Sequence, residues 1–172
     1  MAAEFEVLPA DVDEDAATTA DPFETAARLA EMKAKAVQAF RPDCLIIGGD
    51  TVVALPQPDG SFIQLSKPND EQDACRMLSE LSGRSHWVIT GCSVCTPTEI
   101  ETRFEKSLVT FRELSSDEIQ AYVATGEPMD KAGAYAVQAG GGTFIRSIEG
   151  SRTNVIGLPL ELLGEMLLPY RI

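Results

Sequence analysis

Two rhythms of apolar residues alternate along this chain, one repeating every three to four positions and one every two, and together they predict its elements. The segment DPFETAARLAEMKAKAVQAF predicts a first long helix. Asp21 caps it, Pro22 suits its first position, Glu24 completes a capping box, and Phe23, Ala27, Ala30, Ala34 and Val37 form the inward stripe. NDEQDACRMLSELSG predicts a second helix with Ala74, Met77, Leu78 and Leu81 on one face, stopped by Gly83. LSSDEIQAYVATGE predicts a third, boxed by Ser115 and Glu118, facing inward with Ile119, Tyr122 and Val123, and ended by Gly126. LPLELLGEMLLPY is an apolar closing helix interrupted by Gly164. Between the helices, DCLIIGG and TVVALPQPDGSFIQL read as strand, Pro/Gly turn and strand. SHWVITGCSVCT and EIETRFEKSLVTF read as a hairpin with Ile100, Thr102, Phe104 and Lys106 sharing a face, and AGAYAVQAGGGTFIRSIEG as glycine-punctuated strand. FEVLP near the start fits either the end of a buried strand or part of a disordered tail. Helices alternating with strand groups define an α/β class, a sheet covered by helices.

Composition narrows the function. With 172 residues and 44% apolar content the chain suits one buried core, hence one domain over 1–172. The formal charge of −13 repels nucleic acid and anionic membrane unless positive side chains are locally concentrated, and eight of the acids fall in the first 24 residues, which hold no base. The sequence opens with no basic, apolar leader and holds no run of about 18 apolar residues, so the expectation is a soluble cytoplasmic protein with neither membrane nor nucleic acid as partner. Cys92 and Cys95 have the spacing of zinc or redox pairs, but no second pair follows and the one histidine, His86, precedes them. All four cysteines are expected to be reduced and structural.

Candidate chemistry centres on Asp50, set directly after IIGG where α/β sheets present ligand groups from strand ends. An Asx turn or a solvated strand end would use the same residue. Glu14, Lys33, Lys67, Asp130 and Lys131 also fall beside turns or helices, and carboxylates mixed with lysines suit a polyphosphate held with a divalent ion. The same lysines equally suit a solvated surface. There is no GxxxxGK[ST] loop, GGDTVV cannot make a dinucleotide turn, and a serine hydrolase would need a base that the lone His86 does not supply. GGG at 140–142 fits a hairpin turn or an anion cradle of backbone amides.

Taken together, the pieces FEVLPADVDED, LAEMKA, GGDTVV, SKPNDEQDACRMLSELSGRSHWVITG and VTFRELSSDEIQAYVATGEPMDKAGAYAVQAGGGTFIRSIEGSRTNVIGLPL resemble, in order and over nearly the whole chain, the Maf family of nucleoside triphosphate pyrophosphatases. The resemblance implies a Maf-like, ITPase-like α/β fold with a mixed twisted sheet. It implies hydrolysis between the α and β phosphates with Mg²⁺ or Mn²⁺, and a homodimer. It assigns Asp50 as general base and metal support, Glu14 to metal or water, and Lys33 and Lys67 to phosphate charge, with Asp130 and Lys131 in the pocket. Thr51 and Gln138 look like the branch acting on dTTP and UTP, where an amide at 138 both donates to and accepts from a pyrimidine edge. Pseudouridine, 5-methyluridine and 5-methylcytidine triphosphates are related expectations. Family members open with a strand and an SxSPRR loop that grips the triphosphate. That first strand and phosphate loop are expected to be missing here, and Arg28, Arg84 and Arg103 do not replace them. The alternative expectation is therefore a catalytically impaired nucleotide-binding or regulatory member.

Overall fold

The computed structural model describes residues 5–170, and within them five strands build one sheet in the order β2-β1-β3-β4-β5. These are β1 (Ile46–Pro56), β2 (Phe62–Leu65), β3 (Ser85–Cys95), β4 (Ile100–Phe111) and β5 (Ile145–Glu149). The helices are α1 (Glu14–Ala17), α2 (Pro22–Gln38), α3 (Glu71–Leu81), α4 (Ser116–Val123), α5 (Arg152–Ile156) and α6 (Leu160–Leu167). The α/β architecture is as expected, a sheet flanked by helices. All four described pairings of the expected mixed sheet are antiparallel, because β1–β2 and β3–β4 are hairpins and α3 returns the chain to run against β1. Among the described residues no helix is long and apolar enough to cross a membrane.

Each face of the sheet has its own core. Ala26 and Leu29 of α2 pack against Val52, Ala54 and Ile89 on one face. Val53, Leu55, Val88 and Phe111 pack on the other against Met77, Leu78 and Leu81 of α3 and Ile119, Tyr122 and Val123 of α4. Farther along that second face α6 brings Leu163 and Met166 onto Cys92 and Val94. The predicted faces of α3 and α4 are those buried, and the Ser115–Glu118 box is formed. In α2, Asp21 caps through the Phe23 amide, but Glu24 turns to Arg28 at 3.8 Å instead of closing a box. Its buried stripe is Ala26, Leu29, Ala30 and Ala34, so Ala27 and Val37 of the expected stripe lie at its margin.

Three expectations change. Phe5 and Val7 are exposed and the FEVLP segment is not a strand, since no strand of the described residues pairs with it. The 135–139 segment is irregular, flanked by 3₁₀ turns at Ala132–Ala134 and Gly140–Phe144, and strand begins only at Ile145. Asp50 lies inside the eleven-residue β1, not at a strand end, because β3 pairs with β1 continuously from Ile46 to Ala54. Two short helices, α1 and α5, escaped the periodicity reading altogether. All four cysteines are free, as expected, and burial pushes Cys92 up to about 11.

Candidate active site

Two glycines bring α2 onto the sheet. A Cβ on Gly48 would sit 2.4 Å from the Ala30 carbonyl oxygen, and one on Gly91 would sit 2.1 Å from that of Ala26. With the alanine stripe facing them, helix and sheet backbones nearly touch. That approach sets Lys33, beside Ala34, against Asp50, and its ammonium ion-pairs with the Asp50 carboxylate and with Glu14 at 2.8 Å. Glu14 reaches this point because Asp13 caps α1 through the Ala16 amide at 3.2 Å.

The charges are set by burial and by one another. Burial raises the Asp50 carboxyl above its ordinary value, and the negative charge of Glu14 adds to it. Lys33 and Lys67 offset this only in part, Lys33 being shared with a second acid. For Lys33, burial pulls the ammonium down, but Asp50 and Glu14 outweigh it and the net shift is upward. Glu14 is held below the ordinary carboxylate range by Lys33.

β2 covers β1 only from Val53 onward, and beyond this point a cavity of ≈ 300 Å³ opens. Asp50, Thr51, Lys67, Asp130, Lys131 and Gln138 all line it, which brings six of the eight candidates to one wall system. The other two, Glu14 and Lys33, join through the Asp50 ion pair. The Gly133 amide donates to the Ser66 carbonyl at 3.2 Å, tying the Lys67 segment to the loop that carries Asp130 and Lys131. Of those last two Asp130 is exposed and Lys131 half-buried, and they pair with each other at 2.6 Å. The apolar floor is Val53, Val88, Tyr135 and Val155. Arg28, Arg84 and Arg103 stand apart from the cavity, engaged with Glu24, the Pro56 carbonyl and Glu101 respectively.

Several contributors have partners or roles that motif reading did not assign. His86 is fully buried, its Nε2 2.8 Å from the Tyr135 hydroxyl beneath the floor, and burial pulls it down to about 3. The GGG amides do cradle an anion, but it is the chain's own: Gly140 N donates to Glu127 at 3.1 Å, Gly141 N at 3.5 Å, and the Tyr122 hydroxyl at 2.6 Å. This clamp shapes the loop next to Gln138. The α5 helix supplies Val155 and Ile156, and its Ser151 cap and Gly157 terminus were a readable signal, S-x-x-N before an apolar pair and a glycine.

Among the described residues no group of three or more His, Cys, Asp or Glu side chains is placed to hold a metal ion. The donors present still fit a hard cation. Asp50 gives Lys33 only one of its oxygens, Glu14 is a second carboxylate beside it, and Mg²⁺ commonly takes one or two protein carboxylates while substrate phosphates and water complete its shell.

An α/β sheet with a lysine-bridged carboxylate pair at the mouth of a mostly apolar cavity forms a concave site suited to a small ligand. The model of the Maf-like protein family matches residues 1–169, and the chain belongs to that family. It is similar to the dTTP/UTP pyrophosphatase of Pelotomaculum thermopropionicum, 45% identical over 165 residues, which are 95% of this chain and 84% of that protein. The dTTP/UTP pyrophosphatase of Aquifex aeolicus is 44% identical over 95% of this chain and 83% of its own length. That of Bacillus velezensis is 43% identical over 91% and 80%.

Proposed function

We propose that the chain, acting as one Maf-like domain over 1–172, hydrolyses dTTP and UTP between the α and β phosphates, giving the nucleoside monophosphate and pyrophosphate. The observation that carries the reading is the placement of Asp50, with its raised carboxyl, on the same cavity as Lys67, Thr51 and Gln138. The names of the relatives supply the substrate pair.

Asp50 is the general base. A carboxyl raised above its ordinary value is a stronger acceptor for the proton of an attacking water than an ordinary one. The water oxygen joins phosphorus as the bridging P–O bond breaks, and pyrophosphate leaves with the electron pair. Lys33 holds Glu14 against Asp50 and keeps two acids within reach of one centre. Lys67 supplies positive charge to the phosphates, its field already felt by both Asp50 and Glu14. Mg²⁺ or Mn²⁺, held by Asp50 and Glu14 together with the phosphates, would neutralise developing charge as a Lewis acid. Thr51 and Gln138 face the base, and Asp130 with Lys131 rims the opening. The same reading takes the protein as a cytoplasmic homodimer with no nucleic-acid or membrane partner, in keeping with its charge of −13.

Pyrophosphate release from a panel of nucleoside triphosphates, with Mg²⁺ or Mn²⁺ supplied, tests it. The expected result is turnover greatest for dTTP and UTP. Calorimetric binding of dTTP without release would replace the enzyme with a nucleotide-binding protein.

A further inference from the structure

Thr51 faces the cavity, and the direction of its hydroxyl proton decides what it can recognise there. Its Oγ1 lies 2.9 Å from Oγ1 of Thr90, directly opposite on β3. Thr90 is fully buried, and its Oγ1 is also 3.0 Å from the backbone carbonyl of Asn154. A carbonyl only accepts, and a threonine hydroxyl has one proton to give. One arrangement alone puts a proton in both contacts: Thr90 donates to Asn154, and Thr51 donates to Thr90. The reverse would leave two oxygens 3.0 Å apart in the protein interior with no proton between them.

The carbonyl is firmly placed. The Asn154 side-chain amide donates to the Val88 carbonyl and to Ser107, each at 2.9 Å, and its own amide is capped by Ser151 at 3.2 Å. Gly157 follows with φ 114°, and a Cβ there would meet Thr51 Oγ1 at 3.4 Å, so its absence leaves that oxygen uncovered.

We infer that Thr90 is a positioning residue for base selection: by giving its proton to Asn154 it draws the Thr51 proton inward and leaves Thr51 Oγ1 a pure acceptor for an N–H of the bound base. This rests on the reading of the cavity as a pyrimidine nucleotide site. Uracil and thymine carry a ring imide N–H, whereas cytosine has a bare, accepting nitrogen in that place. The network therefore ranks uridine and thymidine nucleotides, including 5-methyluridine and pseudouridine, above cytidine ones. Gln138, which can present either end of its amide, supplies no such polarity.

The test compares kcat/KM for UTP and CTP in the wild type, Thr90→Val and Thr90→Ser. Valine keeps the shape but removes the acceptor, so the Thr51 proton is freed to turn outward and pair with cytosine. The UTP-to-CTP ratio is expected to fall roughly tenfold, the size of one net hydrogen bond, while Thr90→Ser restores it. A merely structural role would lower both rates together and leave the ratio alone. A folded Thr90→Val protein with the wild-type ratio overturns the inference while leaving the proposed function standing. A wild type releasing no pyrophosphate from either nucleotide overturns both.

Discussion

Asp50 and Thr51 are neighbours in β1, yet they serve opposite faces of the sheet by different physics. On the Asp50 side the partner is a long charged side chain delivered by a helix, and the group is perturbed by burial. On the Thr51 side the partners are a short hydroxyl and a backbone carbonyl, neutral and held by strand register and a capped turn. Charge acts at a distance and needs only approximate placement, so it suits chemistry on a phosphate. Hydrogen-bond polarity is directional and needs a rigid surround, so it suits discrimination between bases.

The largest expected effect comes from breaking the charged side. Asp50→Asn should lower turnover about 10³-fold, the scale of a lost general base, while keeping the fold. In the wild type kcat/KM should rise with pH through a midpoint above the ordinary carboxylate value, because only ionised Asp50 accepts a proton. The fold favours neutral Asp50, so its stabilising effect is present at low pH and lost as pH rises through the raised pKa. Asp50→Asn should accordingly melt above wild type at neutral pH, with the gain shrinking on acidification. Pyrophosphate release and thermal melts across pH check both; wild-type turnover in the variant would remove Asp50 from its role.

Next is the approach of α2 itself. Gly91→Ala drives a Cβ into the Ala26 carbonyl and should cost ~1–3 kcal/mol as the helix lifts and Lys33 withdraws from Asp50. Gly49→Ala, whose Cβ would meet only the Gly91 oxygen at 3.7 Å, should be nearly neutral. Denaturant titration of the pair separates close approach from simple strand preference; equal losses would show that the contact does not hold the charged side together.

On the recognition side, Glu127→Gln trades the charged partner of the Gly140 and Gly141 amides for a neutral one. The loop beside Gln138 should loosen, raising KM for dTTP roughly several-fold, about one weakened charge-assisted hydrogen bond, with kcat little changed. An unaltered KM would mean the loop holds its shape without the clamp. The smallest effect on activity is expected at His86. Pulled down to about 3, it is neutral throughout the working range and should add no step to the pH–rate profile. Its depressed pKa stabilises the fold above its ordinary 6.5, and that contribution is lost as pH falls toward about 3. His86→Leu should therefore flatten the acid loss of stability, measured by denaturant titration at stepped pH.

Much of this is legible in the sequence alone. The Ser115–Glu118 box, the buried face of α3 and the β3–β4 hairpin are written in residues two to four apart, and the ordered motifs carried the family and the eight site candidates. What the sequence could not specify were partners. Asp50 read as a strand end because it directly follows IIGG, whereas β1 runs on through it and Gly48 makes room for α2. Residues 140–142 read as a turn or an anion cradle, and only the fold shows the anion to be Glu127. Local patterns are set by backbone dihedrals and caps, which near neighbours decide. Thr90 meets Asn154 across 64 residues of chain, and nothing local favours one distant carbonyl over another. Packing of the whole sheet chose that partner, and with it the direction in which Thr51 points its proton.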